Sequence, residues 1–491
     1  MRRVRRRRPA LLYGGRVDSL TAAWVADWAQ RPARPAVWTP PTGWLSAGEL
    51  EERSRLAAYR LAGAGLAAGD RVLLSGAPCA ELLAAYAGVL RLGAVVVPAN
   101  TAYTDRELAY IVGDVRPAAA LLDRPRDLPG VPLVSGLDLA GLDLAGMDLA
   151  GPAAEVPLDR AAGADPALVG YTSGTTGAPK GAVLSHGNLR AGAAALLAAW
   201  RWTPEDRLVC ALPLFHMHGL GVAVNGTLLA GASMVLLPKF GVAEVLDAVA
   251  GHRASLFFGV PTMYSRLAAS ARAGELSALR LAVSGSAPLP PDLWHALAAT
   301  TRQRVLERYG MTETVMLTSN PYDGERRPGT VGLPLPGVSV RLDPHDRGVE
   351  VRGPNVFAGY WERPAASAAA FTADGWFRTG DVGEWSADGY LSLVGRATDL
   401  IITGGFNVYP REVEEVLHGH PAVREAAVVG RPDPEWGEVV TAFCVGDRVP
   451  DEELAAYCAE RLAAFKRPRH WRWLAELPRN AMGKVVRGDL R

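Results

Sequence analysis

Tyr171–Gly181 reads YTSGTTGAPKG. Thr172, Ser173, Thr175 and Thr176 stand among Gly174, Gly177 and Gly181, with Lys180 near the end. A backbone this free of bulk can approach a polyphosphate closely. Its N–H and O–H groups can donate to phosphate oxygens, and Lys180 adds a positive charge. The preceding run ALVGYTS reads as a buried strand that delivers the chain into the turn. The spacing is not that of G-x-x-x-x-G-K-[ST]. Counting from Gly174, Pro179 stands where the second glycine belongs, and Gly181 follows Lys180 instead of Ser or Thr. A plain surface loop is the competing reading; the ordered mixture with lysine near its end weighs against it.

Upstream, helical and strand-like segments alternate. Ser46–Leu66 and Ala80–Leu92 read as helices, Asp70–Ser75 and Gly93–Pro98 as strands, and Thr104 with Glu107 has capping-box spacing. This alternation predicts an α/β domain with a largely parallel sheet. Leu137–Gly151 repeats LDLAG, LDLAG, MDLAG, too few units to stack as a solenoid, and reads as a local insertion.

Downstream, Asn188–Trp200 reads as helix. LVCALPLFHMHGLG (Leu208–Gly221) begins as a strand and turns at Pro213. His216 and His218 lie there in apolar surroundings without a nearby acidic or cysteine ligand, which predicts pocket-wall histidines rather than a metal site. Strands follow at Ala232–Phe240, which carries Lys239, and at Leu256–Pro261, then a helix at Met263–Ala271 with Arg266. Leu281–Ser284 runs into Gly285–Pro288, a small-residue loop able to admit a flat ring. In ERYGMTET (Glu307–Thr314), Tyr309 offers a face to a purine and Gly310 permits close approach. Thr312 offers a hydroxyl, and Glu313 a carboxylate of the kind Mg²⁺ prefers. Gly348–Tyr360 reads as hairpin-forming strands. In WFRTGD (Trp376–Asp381), Asp381 can accept from two ribose hydroxyls. A domain boundary is placed within Gly395–Leu400. Beyond it, strands, a helix over Arg411–Leu417 and a polar turn bearing Lys484 make a small α+β unit.

Length and composition fit a multidomain globular protein: 491 residues, 49% hydrophobic, with a formal net charge of +1, which gives no reason to expect nucleic acid. Cys79, Cys210, Cys444 and Cys458 form no C-x-x-C pair, so neither disulfide framework nor zinc site is indicated. No apolar run is long enough to span a bilayer, and a cytoplasmic location is expected. Six arginines fill the first eight residues; without a following apolar segment they read as a disordered basic tail, or as sequence ahead of the true start, not as a signal peptide.

YTSGTTGAPKG, YGMTET, WFRTGD, GR, GGFNVYPREVE and RNAMGKV occur in the order found in the adenylate-forming enzymes, and the chain resembles that family from about Val17 onward. Within it, NTAYT, PLFHMHGL, VSGSAPLP, SNPYDGERRPGTVGLPLPGV and GGFNVYPREVE most resemble malonyl-CoA synthetases. The resemblance implies a large N-terminal α/β part with a β-barrel-like subdomain (1–396) and a small mobile α+β domain (397–491). It implies ATP, Mg²⁺ and coenzyme A as reactants and cofactor. A carboxylate attacks the α-phosphorus, giving acyl-adenylate and pyrophosphate, and a thiol then displaces AMP. By that resemblance Lys484, Glu313, Thr312 and His216 are catalytic, Lys484 bridging carboxylate and α-phosphate, and Glu313 with Thr172 holds Mg²⁺. Thr172–Gly177 and Lys180 hold the phosphates. Ser286, Ala287, Pro288, Tyr309, Gly310, Met311 and Thr312 surround adenine and its flank, and Asp381 and Arg396 take the ribose side. His216, His218, Ser284, Gly285 and Met311 border the acyl pocket. Gly404, Gly405, Phe406 and Trp436 meet coenzyme A. Thr398 stands where the family's hinge carries Lys or Asp, which puts the hinge energetics in question.

A malonate-like acid has a second carboxylate, which needs a cation once buried; Arg280, His218, Lys239 and Arg266 are the candidates. A ligase for a medium-chain or aryl acid, a module loading a carrier-protein thiol, and a non-catalytic nucleotide binder are the alternatives. The chain's ending soon after Lys484 favours free coenzyme A over a carrier. Oligomeric state is not readable.

Overall fold

The computed structural model describes residues 19–124, 126–137, 156–172, 179–480 and 484–490. The arginine-rich start, all but Leu137 of the pentapeptide repeat, and the loop residues Ser173, Gly174, Thr175, Thr176 and Gly177 lie outside the described residues.

Two large sheets build the N-terminal part. The nine-stranded sheet has a parallel centre. Pro35–Thr39, Ser233–Leu236, Arg207–Cys210, Leu256–Gly259, Leu281–Ser284 and Leu306–Tyr309 lie side by side in that order. The seven-stranded sheet is parallel from Pro166–Thr172 through Val95–Pro98, Arg71–Ser75 and Ala119–Leu122 to Leu133–Gly136. The central strands, such as Leu281–Ser284, Leu256–Gly259 and Val95–Pro98, are mostly apolar runs because both faces are covered. Trp24, Trp28, Tyr86 and Trp200, on the helices between the sheets, are fully buried in one core shared by both. The helices begin where their sequences predict: Ser46, Thr104 and Ser185 each close a capping box with the residue three positions on.

The expected barrel-like portion is a four-stranded antiparallel sheet built on Ser339–Leu342, Gly348–Arg352, Phe377–Trp385 and Leu391–Arg396. One expectation is corrected: Gly348–Tyr360 does not form a hairpin. Gly348–Arg352 pairs with Ser339–Leu342 and Phe377–Trp385, whereas Gly359–Tyr360 joins the seven-stranded sheet beside Lys180–Ser185. The intervening GPNV turn sends the chain from one sheet to the other. Its Asn355 is buried and donates to Thr314 O and Met316 O at 2.8 and 2.7 Å, a tertiary anchor that local pattern does not reveal.

A small C-terminal α+β unit follows. Val423–Asp433 and Gly437–Gly446 form a long antiparallel pair, with Ile401–Thr403 and His470–Trp473 against the latter. The helices Pro410–His418 and Asp451–Ala459 cover one face.

Candidate active site

Loops following the parallel strands collect at one edge of the nine-stranded sheet, because Cys210, Gly259, Ser284 and Tyr309 all end there in register. Ser286, in the loop after Leu281–Ser284, is held at φ +70 and shares a 3.2 Å hydrogen bond with His218 Nδ1. Val315 takes φ +57 just after YGMTET; for a β-branched residue this is strained backbone, and its side chain is buried.

Around Tyr309 and Glu313 runs a polar network. The Tyr309 hydroxyl donates to Asp381, whose other oxygen pairs with Arg396 Nε at 2.9 Å. Asp381 raises the Arg396 pKa, and burial followed by Asp381 pushes the Tyr309 phenol well above its ordinary range. Glu313 is buried, which raises its pKa; it accepts from the Tyr360 hydroxyl at 3.1 Å. The Tyr360 ring lies 5.4 Å from Lys180 Nζ, so Glu313 and the lysine at the end of the phosphate turn share one neighbour. Sequence reasoning missed Tyr360, although its place at the end of a strand-like segment was a signal. Gly170 is needed beside this turn, since a methyl there would stand 2.6 Å from Thr312 Cγ2.

Lys484 reaches this site. It keeps an exposed surface, but protein closing around it lowers its pKa, and Arg396 lowers it further. Its ammonium is near enough to depress His216, whose pKa falls to about 4 through burial, Arg308 and Lys484 in that order. Lys484, Arg396, Asp381, Tyr309 and His216 therefore lie near one another.

The second-carboxylate candidates fare differently. Arg280 sits at the opposite end of Leu281–Ser284 from the loop. Its Nε pairs with Asp206 at 2.6 Å, and it donates to Trp200 O and Arg201 O. It is committed there and does not line the pocket. Lys239 and Arg266 are exposed. His218 is buried, and burial, Arg308 and His216 hold it well below its ordinary pKa, so it is neutral and offers no charge. A buried cation beside His216, His218 and Gly285 is Arg308, which sequence reasoning passed over inside ERYGMTET. It is 5% exposed, and a methyl on Gly285 would lie 2.4 Å from its Cζ. Its Nε and Nη2 have no partner, and burial pulls its pKa down to about 9. An arginine within an otherwise buried strand was the available signal. Met311 packs at the edge of the same core.

Gly404, Gly405, Phe406 and Trp436 form one face of the small unit. Gly404, at φ +56, donates to Trp436 O at 2.8 Å, and a methyl there would meet the Trp436 ring at 2.7 Å. Phe406 is 54% exposed and stacked on Phe465. Thr398 lies in a single turn, Ala397–Asp399, between the two parts.

The fold and the meeting of these motifs define the adenylate-forming class, enzymes that activate carboxylates on ATP. The chain belongs to the AMP-binding enzyme family: the AMP-binding enzyme description matches residues 24–361, and its C-terminal domain matches 412–484. A feruloyl-CoA synthase from Amycolatopsis sp. is 37% identical, over 91% of this chain and 93% of its own. A malonate–CoA ligase from Arabidopsis thaliana is 35% identical, over 87% of this chain and 79% of its own. Among solved structures, ATP-bound MatB from Rhodopseudomonas palustris is 41% identical, covers 96% of this chain and 98% of its own, and superposes with a TM-score of 0.89. The apo form of the same protein superposes at 0.79. Among the described residues no helix is long and apolar enough to cross a membrane.

Proposed function

We propose that this AMP-forming acid–CoA ligase acts on malonate or methylmalonate. The observation that carries this reading is Arg308, a buried guanidinium whose Nε and Nη2 have no hydrogen-bond partner and whose attraction to Glu307 does not offset its burial, set against Gly285 and the two pocket histidines. A pocket for an uncharged acyl tail has no use for such a charge, whereas a second carboxylate would satisfy its open N–H groups. Malonate–CoA ligases among the relatives support the choice. Feruloyl- and indoleacetate–CoA ligases keep an aryl acid as the alternative.

In this reading Tyr309, Asp381 and Arg396 seat the nucleoside, and Thr172 through Gly177 with Lys180 take the phosphates. Glu313 suits Mg²⁺: burial disfavours its charge, which a cation would restore. No three His, Cys, Asp or Glu side chains gather as a cage among the described residues; Mg²⁺ needs only one or two carboxylates when phosphates supply the rest. Bound there, it would neutralise phosphate charge. Lys484 would bridge the attacking carboxylate and the α-phosphate. The better fit to ATP-bound than to apo MatB supports an arrangement poised for this first step. For the second step, the small domain (397–491) would turn about Thr398, bring Gly404, Gly405, Phe406 and Trp436 to the core, and withdraw Lys484 while coenzyme A enters.

The test is ATP–pyrophosphate exchange with malonate, methylmalonate, octanoate, ferulate and indoleacetate, followed by mass spectrometry of the CoA product. Exchange confined to the last three acids would remove the dicarboxylate reading. Transfer to a carrier-protein thiol but not to coenzyme A would reassign the acceptor.

A further inference from the structure

The two ends of the phosphate turn, Tyr171 and Pro179, are both tied to one helix, Asp105–Val115. Tyr171 donates its hydroxyl to Asp114 Oδ2 at 2.7 Å. Tyr110 donates its hydroxyl to Pro179 O at 2.9 Å. Tyr110 and Asp114 are four residues apart, so they share one face of the helix. The opposite face is fixed by burial of Leu108, Ile111, Val112 and Val115, and the N-terminus by the Thr104–Glu107 capping box. Arg363 braces the arrangement by pairing with Asp114. It comes from the segment just after Gly359–Tyr360, the strand that pairs with Lys180–Ser185 and carries the partner of Glu313.

We infer that Tyr110 and Asp114 are positioning residues that set the separation and tilt of the two strand ends holding the phosphate turn. Two features argue for more than surface packing. Asp114 lies in the last turn of its helix, where the helix dipole disfavours a carboxylate, so its place is explained by Arg363 and Tyr171 rather than by the helix. The bonds also fall on both ends of one turn and come from a single rigid element. Thr172 and Lys180, which face each other across the strand pair, are each one residue from an anchored position. The groups facing this network are Tyr110, Tyr171, Asp114 and Arg363.

This inference rests on the proposed role of the turn in holding the triphosphate. Its signature is loss of ATP affinity with AMP affinity kept, because AMP lacks the β- and γ-phosphates. Tyr110→Phe and Asp114→Asn, both close in size to the native residues, are measured by calorimetry with ATP and with AMP, beside Tyr390→Phe as a control. Tyr390 loses a bond of the same kind, to Glu325 O at 2.8 Å. The expected result is ATP binding weakened about threefold to tenfold in Tyr110→Phe, and tenfold or more in Asp114→Asn, where a charged group is lost. AMP binding should change by less than about twofold, within ordinary surface-mutation scatter. Thiolysis of supplied acyl-adenylate should be unchanged. ATP and AMP weakened alike, or neither weakened, overturns the inference. Wild-type protein that binds no ATP overturns the proposed function, and this inference with it.

Discussion

Replacing Arg308 by Met should move stability and activity in opposite directions. In the free protein the guanidinium is buried, two of its nitrogens are unpartnered, and its pKa falls from 12.5 to about 9. That shift corresponds to about 5 kcal/mol held against the folded state, as an order of magnitude. The sign follows from a base with a depressed folded pKa: the penalty is complete below pH 9 and fades only as pH rises toward the unfolded value. Methionine fills much of the same volume without charge. At pH 7 the variant should therefore unfold later than wild type, by about 2–4 kcal/mol once the lost attraction to Glu307 is allowed for. Malonate activation should collapse. Removing one partner of a buried ion pair costs about 3–5 kcal/mol, so kcat/KM for malonate should fall about a hundred- to several-thousandfold. Butyrate, of similar length without the second charge, should be activated at least as well as by wild type. Thermal melting and pyrophosphate exchange read the two effects separately. A variant that keeps malonate kcat/KM within about threefold of wild type would refute the assignment of Arg308. A variant that is less stable would refute the claim that the free charge is uncompensated.

The remaining predictions concern the other groups of the site. Lys484→Ala should abolish adenylate formation and leave thiolysis of supplied acyl-adenylate largely intact, measured as separate half-reactions. Gly404→Ala should show the reverse: at φ +56, with Trp436 in the way, a side chain is strained and crowds the face assigned to coenzyme A, so CoA-dependent product release slows while exchange persists. Glu313→Gln should raise the Mg²⁺ concentration needed for exchange at least tenfold, read from a titration after chelation. Glu307 has its pKa raised by burial to about 7 and holds the Leu289 N–H at 3.0 Å. Its folded form keeps a proton that the unfolded chain gives up near pH 4.5, so wild-type stability falls as pH rises from there to about 7. The melting-temperature gain of Glu307→Gln over wild type should therefore be larger at pH 8 than at pH 5; a constant difference would show that Glu307 is already ionised.

Much of this protein is written in local pattern. Thr104 and Glu107 name a helix start by their spacing, and apolar runs such as RVLLS and LAVS name strands buried on both faces. Glycine, threonine and lysine in YTSGTTGAPKG read as a polyphosphate turn from the sequence alone. These signals survive in the sequence because they depend on neighbours a few residues away. What tertiary structure decided was partnership across the chain. Arg280 and Arg308 look alike as isolated arginines in or beside strands. Only the fold shows that Asp206 holds the first, while Nε and Nη2 of the second have no hydrogen-bond partner. Tyr360 reached Glu313, and Gly359–Tyr360 left its expected hairpin, because a buried Asn355 redirected the segment to another sheet. Charge, unlike helix or strand propensity, takes its meaning from groups far away in sequence, so the surroundings of Arg280 and Arg308 could be told apart only once those groups were in place.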